Sequence, residues 1–341
     1  MRLSTLFSLG MSGRAWLLLS LVRLSRPFYR LCFLASASSS GILRMLARGP
    51  VSFDRIASEL VPDPACRDAL TGWLKVGCAL GELQQTSEGY VLRGYLARRL
   101  AESQNDDMAA FFELVGTSHS KVLLEGLRRL KQGKKFTFDD YDRGMVARGS
   151  RIAAPFICEV MDRILPRQGP YRILDVGCGS GIYLRHATTR NADLTAVGIE
   201  LEESVARIAL DNLRNWGILE KASIEQGNIL HWQPQAEFDL VTLHNGIYYF
   251  PVADRLPLLR HLRRFVRPAG RILLTTNCQG GGTDMKEVLS FLMSATEGCG
   301  RLPTVKEMLE QLEQAQFTTQ PPIRLIPTEP LYAFIGGVGS Q

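Results

Sequence analysis

The stretch Ile173-Leu174-Asp175-Val176-Gly177-Cys178-Gly179-Ser180-Gly181 restricts the fold of this chain more than any other. An apolar run of strand character feeds directly into a loop with glycine at every second position. Helix-compatible sequence follows. Glycine permits sharp backbone turns and close approach of a ligand where a Cβ would intrude, and the free amides that open the next helix favour a carboxylate or phosphate. The spacing then separates ligands. A dinucleotide loop needs G-x-G-x-x-G, with pyrophosphate seated on the helix start. Here the glycines are 177, 179 and 181, and position 182 is isoleucine. Asp175, at the end of the strand, would oppose a pyrophosphate but suits a cationic amino group. A purely structural turn is the plain alternative.

From Tyr171 onward, strand and helix patterns alternate, which predicts a parallel sheet with helices on both faces. The expected strands are 172–176, 193–200, 223–226, 238–244 and 271–276. A helix over 255–266 places Leu258, Leu259, Leu262 and Phe265 on one face, and Pro268-Ala269-Gly270 turns into the fifth strand. Thr304-Val305-Lys306-Glu307 reads as a capping box opening a further helix. Two short apolar segments, 323–326 and 331–335, close the chain as a strand pair around Pro327-Thr328-Glu329-Pro330.

The half before this domain divides into three. Residues 1–40 are basic, with helical character. Residues 41–95 read as a winged-helix-like unit: Gly49-Pro50 ends a first helix, Ser52 caps a second, Pro64 stands near the start of a third, and Ser87-Glu88-Gly89 joins two short strands. Residues 96–165 form a helical connector with a break at 131–135 and a last helix over 148–165. Phe138 and Tyr141 lie in it as a candidate substrate lid. Residues 166–341, entered through Pro166-Arg167-Gln168-Gly169-Pro170, make up the α/β domain.

Charge argues mainly against nucleic acid. The net charge is +6, but seven arginines (2, 14, 23, 26, 30, 44 and 48) precede the first acid, Asp54, so the remainder carries 6 − 7 = −1. A phosphate backbone demands a cationic surface, and the third helix of the winged-helix-like unit offers only Arg67 and Lys75. Three readings of the acid-free N-terminus stand: a helix docking on a partner subunit, an organelle transit peptide, and a helix lying on a membrane surface. Its uncharged runs, 15–22 and 31–43, are too short to span a bilayer, which takes about 18 apolar residues. The seven cysteines form no CxxC and no zinc-type spacing, which fits free thiols in a reducing, cytoplasmic compartment. No metal site is expected from spacing alone.

Nineteen residues past Gly181 stands Glu200, at the end of the strand Ala196-Val197-Gly198-Ile199. A carboxylate there can accept hydrogen bonds from both hydroxyls of a ribose. Leu201 follows it. Gly227-Asn228-Ile229 comes after the third strand, where a side-chain amide can accept from an adenine amino group. In this order the elements resemble the class I S-adenosylmethionine-dependent methyltransferase family, over about the last 170 residues. The resemblance implies a Rossmann-like seven-stranded domain. It further implies that Asp175, Gly177, Gly179 and Gly181 form the methionine-side loop, that Glu200 binds the ribose and Asn228 the adenine, and that Leu201 and Ile229 beside them also contact the cofactor. The family often has Asp where Asn228 stands and glycine where Ala269 stands.

At the end of the fourth strand lies Leu243-His244-Asn245-Gly246-Ile247-Tyr248-Tyr249-Phe250. Ligands bind beyond the carboxyl ends of such strands, so His244 is the catalytic candidate, and Asn245, Tyr248 and Tyr249 are candidates for the substrate pocket. His244 can serve as a general base, orient a substrate, bind a metal together with Glu297 and Cys299, or simply pack. The winged-helix-plus-Rossmann layout resembles small-molecule methyltransferases of secondary metabolism. That implies methyl transfer to an oxygen or carbon of a small metabolite, and a homodimer joined through the N-terminal helices. A DNA-binding regulator that senses the cofactor, and a catalytically silent partner subunit, are the alternatives.

Overall fold

The computed structural model describes residues 11–234 and 236–339. The first ten residues of the basic segment, Arg2 among them, lie outside the described residues. The chain divides into two compact units, one up to Ser120 and one from Lys121, so the boundary falls inside the expected connector.

The first unit begins with helix α1 (Arg14–Ser39), whose last two turns bury Phe33, Leu34 and Ala37. These pack with α2 (Ile42–Leu46), α3 (Phe53–Leu60), α4 (Arg67–Leu80) and the antiparallel hairpin β1 (Leu83–Thr86)–β2 (Gly89–Leu92). Ser52 caps α3 by accepting from the Arg55 amide at 3.4 Å, as its position before the helix predicts. Val51 bridges to Tyr90 beside the hairpin. On α4, Arg67 is tied to Asp54 and lies 5.3 Å from the Phe53 ring. One of the two cations that could face DNA is therefore already engaged. Short α5 (Tyr95–Leu100) and α6 (Asp106–Leu114) complete the unit, and a π-helical turn, Val115–His119, follows α6.

The boundary falls at the first residue of α7 (Ser120–Lys131), which ends where the polar run begins. The single helix expected over 148–165 is two: α8 (Arg143–Gly149) and α9 (Ala154–Ile164), separated by a 3₁₀ turn. Pro155 is the reason. Its ring tolerates only the first turn of a helix, so a new helix starts at Ala154.

Five parallel strands follow: β3 (Tyr171–Val176), β4 (Leu194–Glu200), β5 (Ala222–Gln226), β6 (Phe238–His244) and β7 (Val266–Asn277). Helices α10 (Ile182–Arg190), α11 (Glu203–Asn215) and α12 (Arg255–Arg263) connect them, and α13 (Asp284–Ser294) and α14 (Val305–Gln314) come after β7. Both hydrogen bonds of the expected capping box open α14. The chain ends in β8 (Thr318–Thr319), β9 (Ile323–Ile326) and β10 (Glu329–Gly337), and the sheet order is β5-β4-β3-β6-β7-β10-β8, with β9 also on β10.

Two details depart from expectation. The seven-position sheet holds eight strands, because its outer edge is broken into β8 and β9; Pro321-Pro322 lies between them and has no amide to offer the ladder. β7 starts at Val266 rather than 271, so Pro268-Ala269-Gly270 is an irregularity within the strand instead of a turn before it. There the register with β6 shifts and Ala269 adopts φ 61°.

Apolar side chains cover both sheet faces. Leu174, Val241, Leu243, Ile272 and Leu274 point to one, and Ile173, Leu240, Leu273, Ala333 and Ile335 to the other. After β3 the chain winds outward through β4 and β5, then crosses back to place β6 on the other side of β3. The carboxyl end of β3 is thus the point where the winding reverses, and open α/β sheets bind ligands there.

Candidate active site

The glycine loop occupies this reversal point. Gly177, Gly179 and Gly181 all have left-handed backbones, with φ of 65°, 54° and 77°. A Cβ on Gly177 or Gly179 would meet no protein atom within 4 Å, so backbone conformation is what selects glycine there. At Gly181 a Cβ would also press on Leu213 at 2.9 Å, where α11 packs against the loop. The amides of Gly177 and Cys178 both donate to the Ile199 carbonyl, at 2.8 and 3.0 Å, which clamps the loop to the end of β4.

Two carboxylates flank this loop. Asp175 is 1% exposed, and its Oδ1 accepts from the Thr242 hydroxyl at 2.8 Å. Its Oδ2 is buried without a protein partner. Burial lifts its pKa to about 7, against the pull of the Thr242 hydrogen bond and with some help from the Glu200 charge. Glu200 accepts from the Gly179 amide at 3.0 Å through Oε2, and from the Glu202 amide at 3.2 Å through Oε1. Burial raises its pKa too, while the Gly179 and Leu201 amides lower it. An acid at the end of β4 therefore fixes the loop at the end of β3. The sequence argument cast it only as a ligand group.

The other expected ligand residues line the same edge. Leu201 is 60% exposed beside Glu200. Asn228 caps its own turn, its Oδ1 accepting from the Leu230 amide at 3.0 Å, while Ile229 is buried. His261 contacts the Ile229 carbonyl through Nε2 at 2.9 Å and so braces this loop.

At the end of β6, His244 is buried. Its Nδ1 is 3.0 Å from the Thr275 hydroxyl, and its ring lies 4.3 Å from that of Tyr183. Nε2 has no protein partner. Burial pulls the pKa down to about 3, so the imidazole is neutral at ordinary pH. Asn245 follows at φ 49°, its amide donating to the Thr275 carbonyl at 2.7 Å and its Oδ1 buried without a partner. Asparagine tolerates this conformation better than most residues.

Tyr248 and Tyr249 continue in a 3₁₀ turn, Ile247–Tyr249, with ring centroids 5.1 Å apart. Phe138 stands 6.0 Å from Tyr249, and the Tyr141 hydroxyl is 3.0 Å from that of Thr296. Arg143 joins this segment to the ribose-side loop by its ion pair with Glu202. Among the described residues no three His, Cys, Asp or Glu side chains come together as a metal-ligand set, so His244, Glu297 and Cys299 do not form one.

Sequence reasoning missed Thr242, Thr275 and Tyr183. All three lie in runs that read as core. The visible signal was a hydroxyl at buried strand positions on either side of His244.

With this geometry in view, residues 173–270 match the family model of a methyltransferase domain. The chain is 30% identical over 112 residues to 27-O-demethylrifamycin SV methyltransferase of Amycolatopsis mediterranei, a match covering 33% of this chain and 40% of that one. It is 26% identical over 165 residues to protein-L-isoaspartate O-methyltransferase of Myxococcus xanthus, covering 48% and 70%. The chain thus spans less than half the length of the rifamycin relative. Among solved structures, mitomycin 7-O-methyltransferase MmcR superposes with a TM-score of 0.76 at 15% identity, over 96% of this chain and all of that one. Human N-acetylserotonin methyltransferase, in complex with S-adenosylmethionine, gives 0.71 at 14% identity, over 96% and 98%. The chain has the methyltransferase fold along nearly its whole length.

Proposed function

We propose that this chain, whose C-terminal half is a class I methyltransferase domain, moves a methyl group from S-adenosylmethionine to an oxygen or carbon of a small, partly apolar metabolite. The carrying observation is the buried Asp175 and the half-buried Glu200 about a left-handed glycine loop, Asp175 with an oxygen that no protein donor reaches. That oxygen fits an ammonium group and repels a pyrophosphate. Full-length likeness to small-molecule O-methyltransferases supports the same reading.

In this reading Asp175 takes the amino end of the cofactor, and Glu200 has lone pairs left for the ribose hydroxyls. Leu201 and Ile229 supply apolar contact to the base, and Asn228 keeps a lone pair for its amino group. When bound, the cofactor supplies an electrophilic sulfonium methyl, so the protein's work is alignment and exclusion of water. His244 is neutral, and the Thr275 hydroxyl at Nδ1 fixes its ring, leaving Nε2 to accept a hydrogen bond from an acceptor hydroxyl and hold its oxygen in line. Protonating this buried ring is costly, so positioning is its first role and proton removal follows only as the acceptor acidifies. Tyr248, Tyr249 and Asn245 line the acceptor side, and aromatic faces there also suit a sulfonium. The Rifamycin and mitomycin enzymes point to a secondary metabolite as the acceptor class.

Calorimetry of the purified chain with S-adenosylmethionine, its demethylated product and a nicotinamide dinucleotide tests the cofactor. Saturation by the first two alone is expected, and saturation by the dinucleotide alone would overturn the reading. Labelled methyl transfer into metabolite extracts, with mass spectrometry of the products, then separates an enzyme from a silent subunit.

A further inference from the structure

Residues 136–143 of the second unit run as a strap between the ribose side and the acceptor side of the site. The first part of the strap is pinned. Phe136 bridges to Thr296, donating its amide to the Ala295 carbonyl and accepting from the Glu297 amide, both at 2.8 Å. A 3₁₀ turn, Phe138–Asp140, follows, and its last carboxylate is fully engaged. Asp140 accepts from Lys121 at 2.7 Å, from Arg129 at 2.9 and 3.0 Å, and from the Thr137 amide at 3.0 Å.

The second part of the strap is held by the site itself. Arg143, the first residue of α8, reaches across to Glu202, which stands directly before α11. The Glu202 amide in turn donates to the Glu200 carboxylate at 3.2 Å. On its other side the Arg143 guanidinium lies 5.4 Å from the Phe138 ring, and Phe138 lies 6.0 Å from Tyr249. Contacts therefore lead without a gap from the carboxylate assigned to the ribose, through Glu202, Arg143 and Phe138, to a tyrosine of the acceptor side. Exposed ion pairs contribute little as a rule. The pair that Arg143 makes with Asp139 at 3.2 Å is of that kind, because Asp139 is 92% exposed. Arg143 and Glu202 are only 33% and 29% exposed, and the guanidinium also faces a ring, so their attraction is screened less.

We propose that Arg143 is a positioning residue, a latch through which a filled ribose site fixes the strap against the acceptor side. The inference rests on the reading of Glu200 as the ribose carboxylate. With ribose hydroxyls on Glu200, the turn that carries Glu202 loses freedom, because the Glu202 amide hangs from the same carboxylate. A steadied Glu202 holds Arg143, and Arg143 holds Phe138 beside Tyr249. The acceptor pocket is thus completed in response to the cofactor, so the acceptor binds second. Such coupling through lost freedom is reciprocal, and it is visible as protection of the strap.

Hydrogen–deuterium exchange of the full chain, read by mass spectrometry with and without saturating demethylated cofactor, tests each link. In the parent, the ligand should slow exchange at least about fivefold in both the glycine loop, 177–181, and the strap, 136–146. Arg143→Gln should keep the slowing in the loop and lose it in the strap, to within about twofold of the ligand-free rate. Glu202→Gln attacks the same pair from its other member and should do the same, and the two changes together should add nothing further. Exchanging the charges, Arg143→Glu with Glu202→Arg, should restore the slowing, which a general loss of packing would not allow. Slowing in the parent's loop without slowing in its strap overturns the latch. So does a strap that is still slowed in both single variants. No slowing in the glycine loop instead strikes the cofactor reading, and the latch falls with it.

Discussion

Replacing Asp175 by asparagine should strengthen the empty protein and weaken its ligand binding together. The carboxyl is 1% exposed, and burial raises its pKa from the ordinary 3.8 to about 7. Below pH 3.8 the group is protonated whether the chain is folded or not, and contributes no pH dependence. Between 3.8 and about 7 the folded state holds a proton that the unfolded state has released, so stability falls as pH rises. Above about 7 both states have lost the proton and the full penalty remains. At about 1.4 kcal/mol per pH unit this penalty is of order 4 kcal/mol. Asparagine cannot ionise and still accepts the Thr242 hydrogen bond at 2.8 Å. Its amide must stand where Oδ2 has no partner, which returns about 1–3 kcal/mol of the gain. The net expectation at pH 8 is stabilisation by about 1–3 kcal/mol, seen as a later urea midpoint at unchanged m-value. At pH 4 the variant should be no better than the parent. If Asp175 holds the ammonium end of the cofactor, the loss of a charge-assisted hydrogen bond should weaken binding by at least tenfold in calorimetry. Parallel pH–stability curves for the two proteins would refute the burial argument. An unchanged affinity would refute the assignment of the ammonium.

Glu200→Gln keeps an acceptor for the Gly179 amide but loses the charge that grips two hydroxyls, so calorimetry should register cofactor affinity falling about tenfold with the fold intact. Thr275→Val removes the hydroxyl 3.0 Å from His244 Nδ1; turnover with the identified acceptor should drop about tenfold or more while cofactor affinity holds, and unchanged turnover would dismiss His244 as a positioning residue. Ala269→Gly should raise stability by about 0–1.5 kcal/mol, seen as a modestly later urea midpoint, because φ 61° costs a non-glycine residue about 1–2 kcal/mol and glycine loses about 0.5–1 kcal/mol more entropy on folding.

What was legible from the residues, and what was not, follows from the range of the forces involved. The glycine loop and the strands about it are local: periodicity, turn chemistry and the spacing from Gly181 to Glu200 fix the β3–loop–α10 unit, and the structure agrees there almost residue for residue. The same holds for Ser52 and the Thr304–Glu307 box, where one side chain meets an amide three residues away. Prolines were underweighted, and both corrections to element boundaries around Pro155 and Pro321-Pro322 come from the missing amide and the ring. The chemistry of the site is non-local, and it was read only in part. Thr242 and Thr275 look like ordinary strand residues until β3, β6 and β7 lie side by side. Only then does one hydroxyl hold the buried carboxylate and the other the buried imidazole. Titration behaviour was the least legible of all. His244 looked like a base because of its ordinary pKa, yet it sits where protonation is most costly, while Asp175 looked like a fixed anion and lies where its charge is half suppressed. Both reversals have one cause, the apolar layers packed over the sheet ends. A site built this way has acceptors waiting in a dry environment, and an incoming cation gains more from them than it would from the same groups in water.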